Sequence, residues 1–265
     1  MTDTPSAPPP FRFHQGSAPL LISIPHGGVY LPPLLAERLS AEARAVPDTD
    51  WHLERLYAFA KDLGASVLAA THSRYVIDLN RPPDGASLYP GQNVTGLCPV
   101  DTFDETPLYP LGDLPGADEI AARRAAVWAP YHAQLRAELE RIRAAHGVAV
   151  LWDAHSIRSV LPRFFDGRLP DLNIGTADGA SAGPALTARL RAVLDGQSSC
   201  THVINGRFKG GYITRHYAEP AHGIEAVQLE MAQCSYMDED SFAYQADLAR
   251  QAQTVLRALL AAALA

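Results

Sequence analysis

"VAVLWDAHS", residues 148–156, is an almost unbroken apolar run that closes on an acid, a histidine and a serine. A run this short and this apolar reads as a strand buried on both faces, the kind found in parallel sheets covered by helices. Working outward, "PLLISIP" (19–25), "ASVLAAT" (65–71), "RYVIDLNR" (74–81) and "GIEAVQLEMAQ" (223–233) read as further strands, and "LPDLNIGTADG" (169–179) as a short strand and turn. Helices fall between them. Residues 50–64 carry Leu53, Leu56, Tyr57 and Phe59 at helical spacing, with Gly64 as the stop. Residues 117–147 form a long helical stretch in which Pro130 predicts a kink or a break. Residues 183–196 and 240–265 read as amphipathic and closing helices, and 202–218 as irregular and glycine-broken. The loop 82–116, rich in Pro, Gly, Asp and Thr, is long enough to be a lid or a binding loop. The alternation predicts a single α/β domain, a sandwich of helices on both faces of a mostly parallel sheet.

Composition narrows the function. The 265-residue chain is 47% hydrophobic, enough for a substantial core without staples. A net charge of −7 argues against a nucleic-acid surface, and no apolar run reaches the ~20 residues of a membrane helix. Cys98, Cys200 and Cys234 are too few and too scattered for a disulfide framework, which fits a reducing cytoplasm. The Pro- and Ser-rich start lacks a signal-peptide pattern, so residues 1–11 read as a loose arm and 12–265 as the domain.

In parallel sheets the site lies beyond the carboxyl ends of the strands. Four ends carry polar groups: His26 with Gly27 and Gly28; Asp78, Asn80 and Arg81; Asp153, His155 and Ser156; and Glu230 between Leu229 and Met231. Two strand-end histidines plus a carboxylate match a catalytic zinc site, with its fourth position open to water. The glycines after His26 let the turn close tightly and a substrate come near the backbone. Asp153 falls on the same side of its strand as His155, which suits a carboxylate that fixes the imidazole tautomer. The third ligand stays open. Asp50 in "PDTDWHLE" (47–54) is one reading, beside Asp48 and Glu54, and an aspartate there also suits a helix N-cap. Glu230 in an apolar strand should be desolvated and raised in pKa, as a general base needs, unless it faces solvent on an edge strand. Arg81, Arg215 and Lys209 form the basic set for binding carboxylates.

"SIPHGG", "DTDWHLERLYAFA", "RYVIDLNRPP", "LWDAHSIRS", "LPDLNIGT", "FKGGYITRHY" and "VQLEM" together resemble the N-formylglutamate amidohydrolases, from about residue 12 to the end. The resemblance implies hydrolysis of N-formyl-L-glutamate to L-glutamate and formate, at the end of a route of histidine breakdown. It implies the fold of the zinc carboxypeptidases and aspartoacylases, a sandwich around a mixed sheet. Asp78-Leu79-Asn80-Arg81 resembles the aspartoacylase segment that binds a substrate carboxylate, His155 their second zinc histidine, and Glu230 their catalytic glutamate. Those enzymes carry a glutamate three residues after the first histidine, where this chain has Val29, so the family pattern points to Asp50 as the carboxylate ligand. The expected set is a divalent ion, most naturally zinc, on His26, Asp50 and His155. Glu230 is then the base, Asn80, Arg81, Arg215 and Lys209 hold a small dianionic substrate, and Asp153 stands behind His155. The rival readings are another N-acyl amino acid deacylase or amidase, and a non-catalytic binder of acidic amino acids.

Overall fold

A computed structural model of the chain describes residues 7–86 and 94–265. Its strands are β1 (Phe11–His14), β2 (Leu20–Ile24), β3 (Ser66–Ala70), β4 (Ala149–Ile157), β5 (Leu172–Gly175), β6 (His202–Ile204) and β7 (Ile224–Ala232). Its helices are α1 (Pro33–Arg38), α2 (Ala41–Arg44), α3 (Leu53–Leu56), α4 (Ala117–Arg123), α5 (Ala129–His146), α6 (Pro184–Asp195), α7 (Tyr212–Tyr217) and α8 (Ala246–Leu264).

The strands form one sheet in the order β1-β3-β2-β4-β7-β5-β6. β3, β2, β4 and β7 are parallel, β5 pairs with β6 in parallel, and β1 and β5 run antiparallel to β3 and β7. The sheet is mixed and mostly parallel, as expected. Alternation sets the layers. Leu20, Ile22 and Ile24 of β2 and Trp152 and Ala154 of β4 pack with Leu186 and Leu190 of α6 and Leu256 and Leu259 of α8. Leu21 and Leu151, one residue out of step, pack with Tyr131, Leu135 and Leu139 of α5 on the other face. From Ala149 onward the apolar run is thus buried on both sides, because each face of β4 meets its own helical layer. No helix of the described residues is long and apolar enough to cross a membrane.

Three elements differ from the sequence reading. Residues 74–81 form turns, not a strand. Asp78 Oδ1 accepts from the amide of Asn80 at 2.8 Å, an aspartate turn that competes with a ladder, while Tyr75, Val76, Ile77 and Leu79 are buried as loop residues. The 117–147 stretch divides into two helices as expected, but at a π-helical segment just before Pro130 and not at the proline itself. A π-helical segment, Arg124–Trp128, joins α4 to α5, and Pro130 sits in the first turn of α5, where its missing N–H costs nothing. In 202–218, the expected irregular segment holds β6 and α7. At the N-terminus, the amide of Thr71 donates to Pro10 O at 3.2 Å and Phe11 enters the sheet opposite Ala70, so the end of the 1–11 arm is docked on β3.

Candidate functional site

The register of the central strands assembles the site. Ser23 of β2 lies opposite Asp153 of β4, and His155 of β4 lies opposite Glu230 of β7. β7 is flanked by β4 and β5, so Glu230 belongs to an interior strand and not to an edge. His26 follows β2 on a turn whose path requires Gly28: a Cβ there would meet the backbone of Thr71 and His72 at 2.4 Å. The glycine therefore serves close packing of the turn on the chain that leaves β3. Neither Gly27 nor Gly28 lines the cavity described below.

Three buried side chains converge. His26, Asp50 and His155 each offer a ligand atom within 4.8 Å of the others, the one such group among the described residues. Both imidazoles are oriented alike. His26 donates from Nε2 to Asp78 Oδ1 at 2.7 Å and turns Nδ1 toward Asp50 Oδ2 at 3.7 Å. His155 has Nε2 at 3.0 Å from Asp153 Oδ2 and Nδ1 at 3.2 Å from Asp50 Oδ2. Each ring thus has one nitrogen committed to a buried carboxylate and the other facing a common centre, the arrangement by which outer carboxylates fix metal-binding histidines. Asp50 Oδ1 is buried and has no hydrogen-bond partner, an orphaned acceptor that a cation would satisfy. The residues therefore fit a divalent ion. Of the alternatives, Asp48 accepts from Tyr75 Oη at 2.7 Å and the Phe103 amide at 2.8 Å, and Glu54 accepts from Arg12 Nε at 3.1 Å. Only Asp50 joins the histidines.

The electrostatics follow from crowding acids and bases in a dry place. Burial alone would raise Asp50, but hydrogen bonds from His155 and His26 hold it well below the usual carboxylate range. Burial works against a charged His155, and the carboxylates of Asp153 and Asp50 outweigh it, raising that imidazole well above its ordinary value. Asp78 is likewise held low against burial by Arg81, His26 and Arg74. Glu230 has only one weak partner, accepting from Gln228 Nε2 at 3.4 Å. Burial pushes it up to about 8, with His155 pulling down and Asp50 pushing further up.

A cavity of about 170 Å³ opens over this cluster, lined among others by His26, Asp50, His155, Glu230, Asn80 and Arg81. At ~10–15 Å³ per water position that is room for roughly 11–17 waters, the scale of an amino-acid derivative. Described parts of the 82–116 loop form one wall, through Gly85, Ala86 and Val94 to Leu97; residues 87–93 of that loop lie outside the described residues. Asn80 Nδ2 lies 3.0 Å from His155 Nε2, and its Oδ1 accepts from the Ile213 amide at 2.8 Å. A Cβ at Gly211 would sit 2.3 Å from Asn80 Nδ2, so the glycines of "FKGGY" let this backbone close on Asn80.

The structure does not bring Lys209 or Arg215 to the cavity walls. Lys209 is 41% exposed and its Nζ pairs with Asp178 at 3.0 Å, and Arg215 Nε donates to Gly210 O at 2.8 Å. The wall carries two arginines that the sequence reading did not select, Arg74 and Arg207, together with Gln228. Arg74 was legible as a charge four residues before Asp78, to which its Nη2 donates at 2.8 Å. Asp78 itself was noticed only within the segment expected to bind substrate.

Fold and site define an α/β enzyme scaffold with a carboxylate–histidine cluster of metal-binding type at its strand ends. A family model described as N-formylglutamate amidohydrolase matches residues 18–237, and the chain belongs to that family. It is 56% identical over 254 residues to an N-formylglutamate deformylase of Pseudomonas aeruginosa and 54% identical over 254 residues to one of Pseudomonas putida. Each match covers 96% of this chain and 95% of the relative. Among solved structures it resembles an N-formylglutamate amidohydrolase of Ralstonia eutropha (TM-score 0.81, 25% identity, 96% and 97% of the two chains). It shares its fold with a gene product of Agrobacterium tumefaciens (TM-score 0.72, 20% identity, 96% of each chain).

Proposed function

We propose that this protein hydrolyses N-formyl-L-glutamate to L-glutamate and formate, using a divalent ion, zinc by its donor set, held by His26, Asp50 and His155. The observation that carries the metal is the paired orientation of the imidazoles, each backed by its own buried carboxylate. The substrate rests on the relatives named N-formylglutamate deformylase. When bound, such an ion supplies Lewis acidity and makes water acidic enough to lose a proton near neutral pH. Everything else falls to the chain. Glu230, on the cavity wall beside His155, takes the proton of the attacking water and returns it to the departing amine nitrogen. A cation held by His26, Asp50 and His155 would favour the charged form of Glu230 against burial, as a base needs. Arg74 is buried 3.7 Å from Asp50, and its Nε has no hydrogen-bond partner, so it can donate to the oxygen on which negative charge develops. Asn80 and Arg81 bind the carboxylate nearest the scissile bond. Three free cysteines fit work in a reducing cytoplasm and the role in histidine breakdown that the resemblance implies.

The test is formate release from N-formylglutamate by metal-depleted protein before and after one equivalent of zinc, with N-acetylglutamate alongside. Zinc-dependent turnover of the formyl substrate is expected. Equal turnover of the acetyl substrate would shift the reading to a broader deacylase, and turnover unaffected by chelation would remove the metal.

A further inference from the structure

The proposed substrate carries two carboxylates, and the cavity wall offers three guanidinium groups, Arg74, Arg81 and Arg207. Two of them are held by protein partners at the metal-binding end of the cavity, both beside Asp78. Arg74 is tied to Asp78 and stands near Asp50. Arg81 donates from Nε to Thr95 O at 2.8 Å, from Nη2 to Thr95 Oγ1 at 2.9 Å and from Nη1 to Asn80 O at 3.0 Å. Arg207 is anchored differently. Its Nε donates to Phe164 O at 2.7 Å and its guanidinium lies 5.2 Å from the centre of the Phe208 ring. Among the described residues no carboxylate pairs with it.

Arg207 also stands in a definite place along the cavity. From Asp50 the wall runs to Arg74, 3.7 Å away, whose guanidinium lies 4.7 Å over Phe103. Phe103 meets Phe164 edge to face at 5.2 Å, and Phe164 holds Arg207. An apolar wall of two rings thus separates the metal-binding end from an arginine with no carboxylate partner. N-formylglutamate has the same order: the scissile amide and the α-carboxylate together, two methylenes, then the second carboxylate. Methylenes lie well on aromatic faces, and a guanidinium held at Nε keeps its two outer nitrogens as a fork for a carboxylate.

We infer that Arg207 is the residue that recognises the side-chain carboxylate of the substrate, with Phe103 and Phe164 as the rail for its two methylenes. The inference rests on the substrate reading above. It makes Arg207 the residue that selects glutamate over glutamine.

The experiment compares wild type, Arg207→Met and Arg207→Lys on N-formylglutamate and N-formylglutamine, with zinc content and thermal midpoint confirming that each variant is folded and loaded. The products L-glutamate and L-glutamine are titrated by calorimetry in parallel. In Arg207→Met the ratio of kcat/KM for the glutamate over the glutamine substrate should fall 10- to 100-fold, with part of it retained by Arg207→Lys. Preference for L-glutamate in binding should vanish in step. An unchanged ratio, or equal losses on both substrates, overturns the assignment. If wild type turns over neither substrate, the functional reading fails separately, and the binding arm alone decides: an L-glutamate preference that survives in Arg207→Met, or none in wild type, overturns Arg207.

Discussion

Glu230 shows how one buried group serves chemistry against stability. Its ordinary value of 4.5 is pushed up to about 8 in the metal-free fold, chiefly by burial. A group raised on folding contributes stability below its unfolded value and loses it as pH climbs to the folded one. The metal-free protein should therefore lose stability from this group between about pH 4.5 and about pH 8. Glu230→Gln keeps the shape and drops the charge. Denaturant melts of chelated protein should show the variant gaining on wild type across that window. The zinc-loaded variant should lose roughly 10²–10⁴-fold in turnover at unchanged metal content, the worth of a positioned general base. Loss of metal instead would make Glu230 a ligand. His155, also raised in the fold, links protons to metal binding. Its imidazole is raised by Asp153 and Asp50 in the metal-free state, so zinc must displace a proton to bind. Calorimetry in buffers of different ionisation enthalpy should report proton release, with affinity rising as pH rises; proton-neutral binding would contradict the geometry. His26, His155 and Glu230 were legible because each is a polar residue at the end of an apolar run. Arg74 carried only its spacing to Asp78 as a signal, and Arg207 follows a short strand in a segment read as irregular, so only the closed fold shows which arginines have carboxylate partners.

At the scale of the element, the π-helical segment between α4 and α5 deals with the loop that carries Asp78, Asn80 and Arg81. Trp128 Nε1 donates to Arg81 O at 3.1 Å, His132 Nε2 to Leu79 O at 2.9 Å, and Arg123 Nη1 to Val76 O at 3.0 Å. Burial lowers His132 to about 3, so it is neutral at working pH, accepting from Tyr217 Oη at Nδ1 while it donates at Nε2. The extra residue of a π turn brings donors from both helices onto one loop. Trp128→Phe should cost about 1 kcal/mol in stability, one hydrogen bond's worth, and raise KM with zinc retained. Deleting Ala125 should do more, since removing one residue turns α4 against α5 by about 100°. A deletion variant with wild-type kinetics would show that the loop holds itself. Pro130 marked this place in the sequence, but a proline signals a break in an α pattern and says nothing of a wider turn that absorbs it. The "RYVIDLNR" run was misread for a related reason. Apolar residues look alike in a strand and in a loop pinned under a helix, and the donors that pin this one come some fifty residues later.

For the molecule as a whole, the proposed metal centre would tie β2, β4 and the approach to α3 together at the carboxyl ends of the central strands. A ligand at a hundred times its Kd adds ~2.7 kcal/mol to the folded state. For a chain of this size that corresponds to a rise of roughly 5 °C or more in Tm. Chelation should lower the midpoint of wild type by that order and leave His155→Ala, already deprived of a ligand, unmoved. An equal shift in both would place the ion elsewhere. The parallel sheet and its two helical layers were readable from the order of apolar runs; the antiparallel β1 and β5 were not, because strand direction depends on connections that leave no pattern in composition.

The position of β7 in the sheet has a consequence for the order in which the molecule can be made. It is the last strand in the chain, yet it lies between β4 and β5. Until residue 224 leaves the ribosome, β4 and the β5–β6 pair each present an open edge with nothing to join them. A nascent or truncated chain of 1–223 therefore carries two unpaired sheet edges, the species most prone to aggregate. Joining the β1-β3-β2-β4 and β5-β6 parts of the sheet then waits on one late strand, which favours slow, cooperative closure. The same event that seals the sheet delivers Glu230 to the cavity, so the proposed catalytic base arrives only as the sheet closes, with α8 alone still to pack on it.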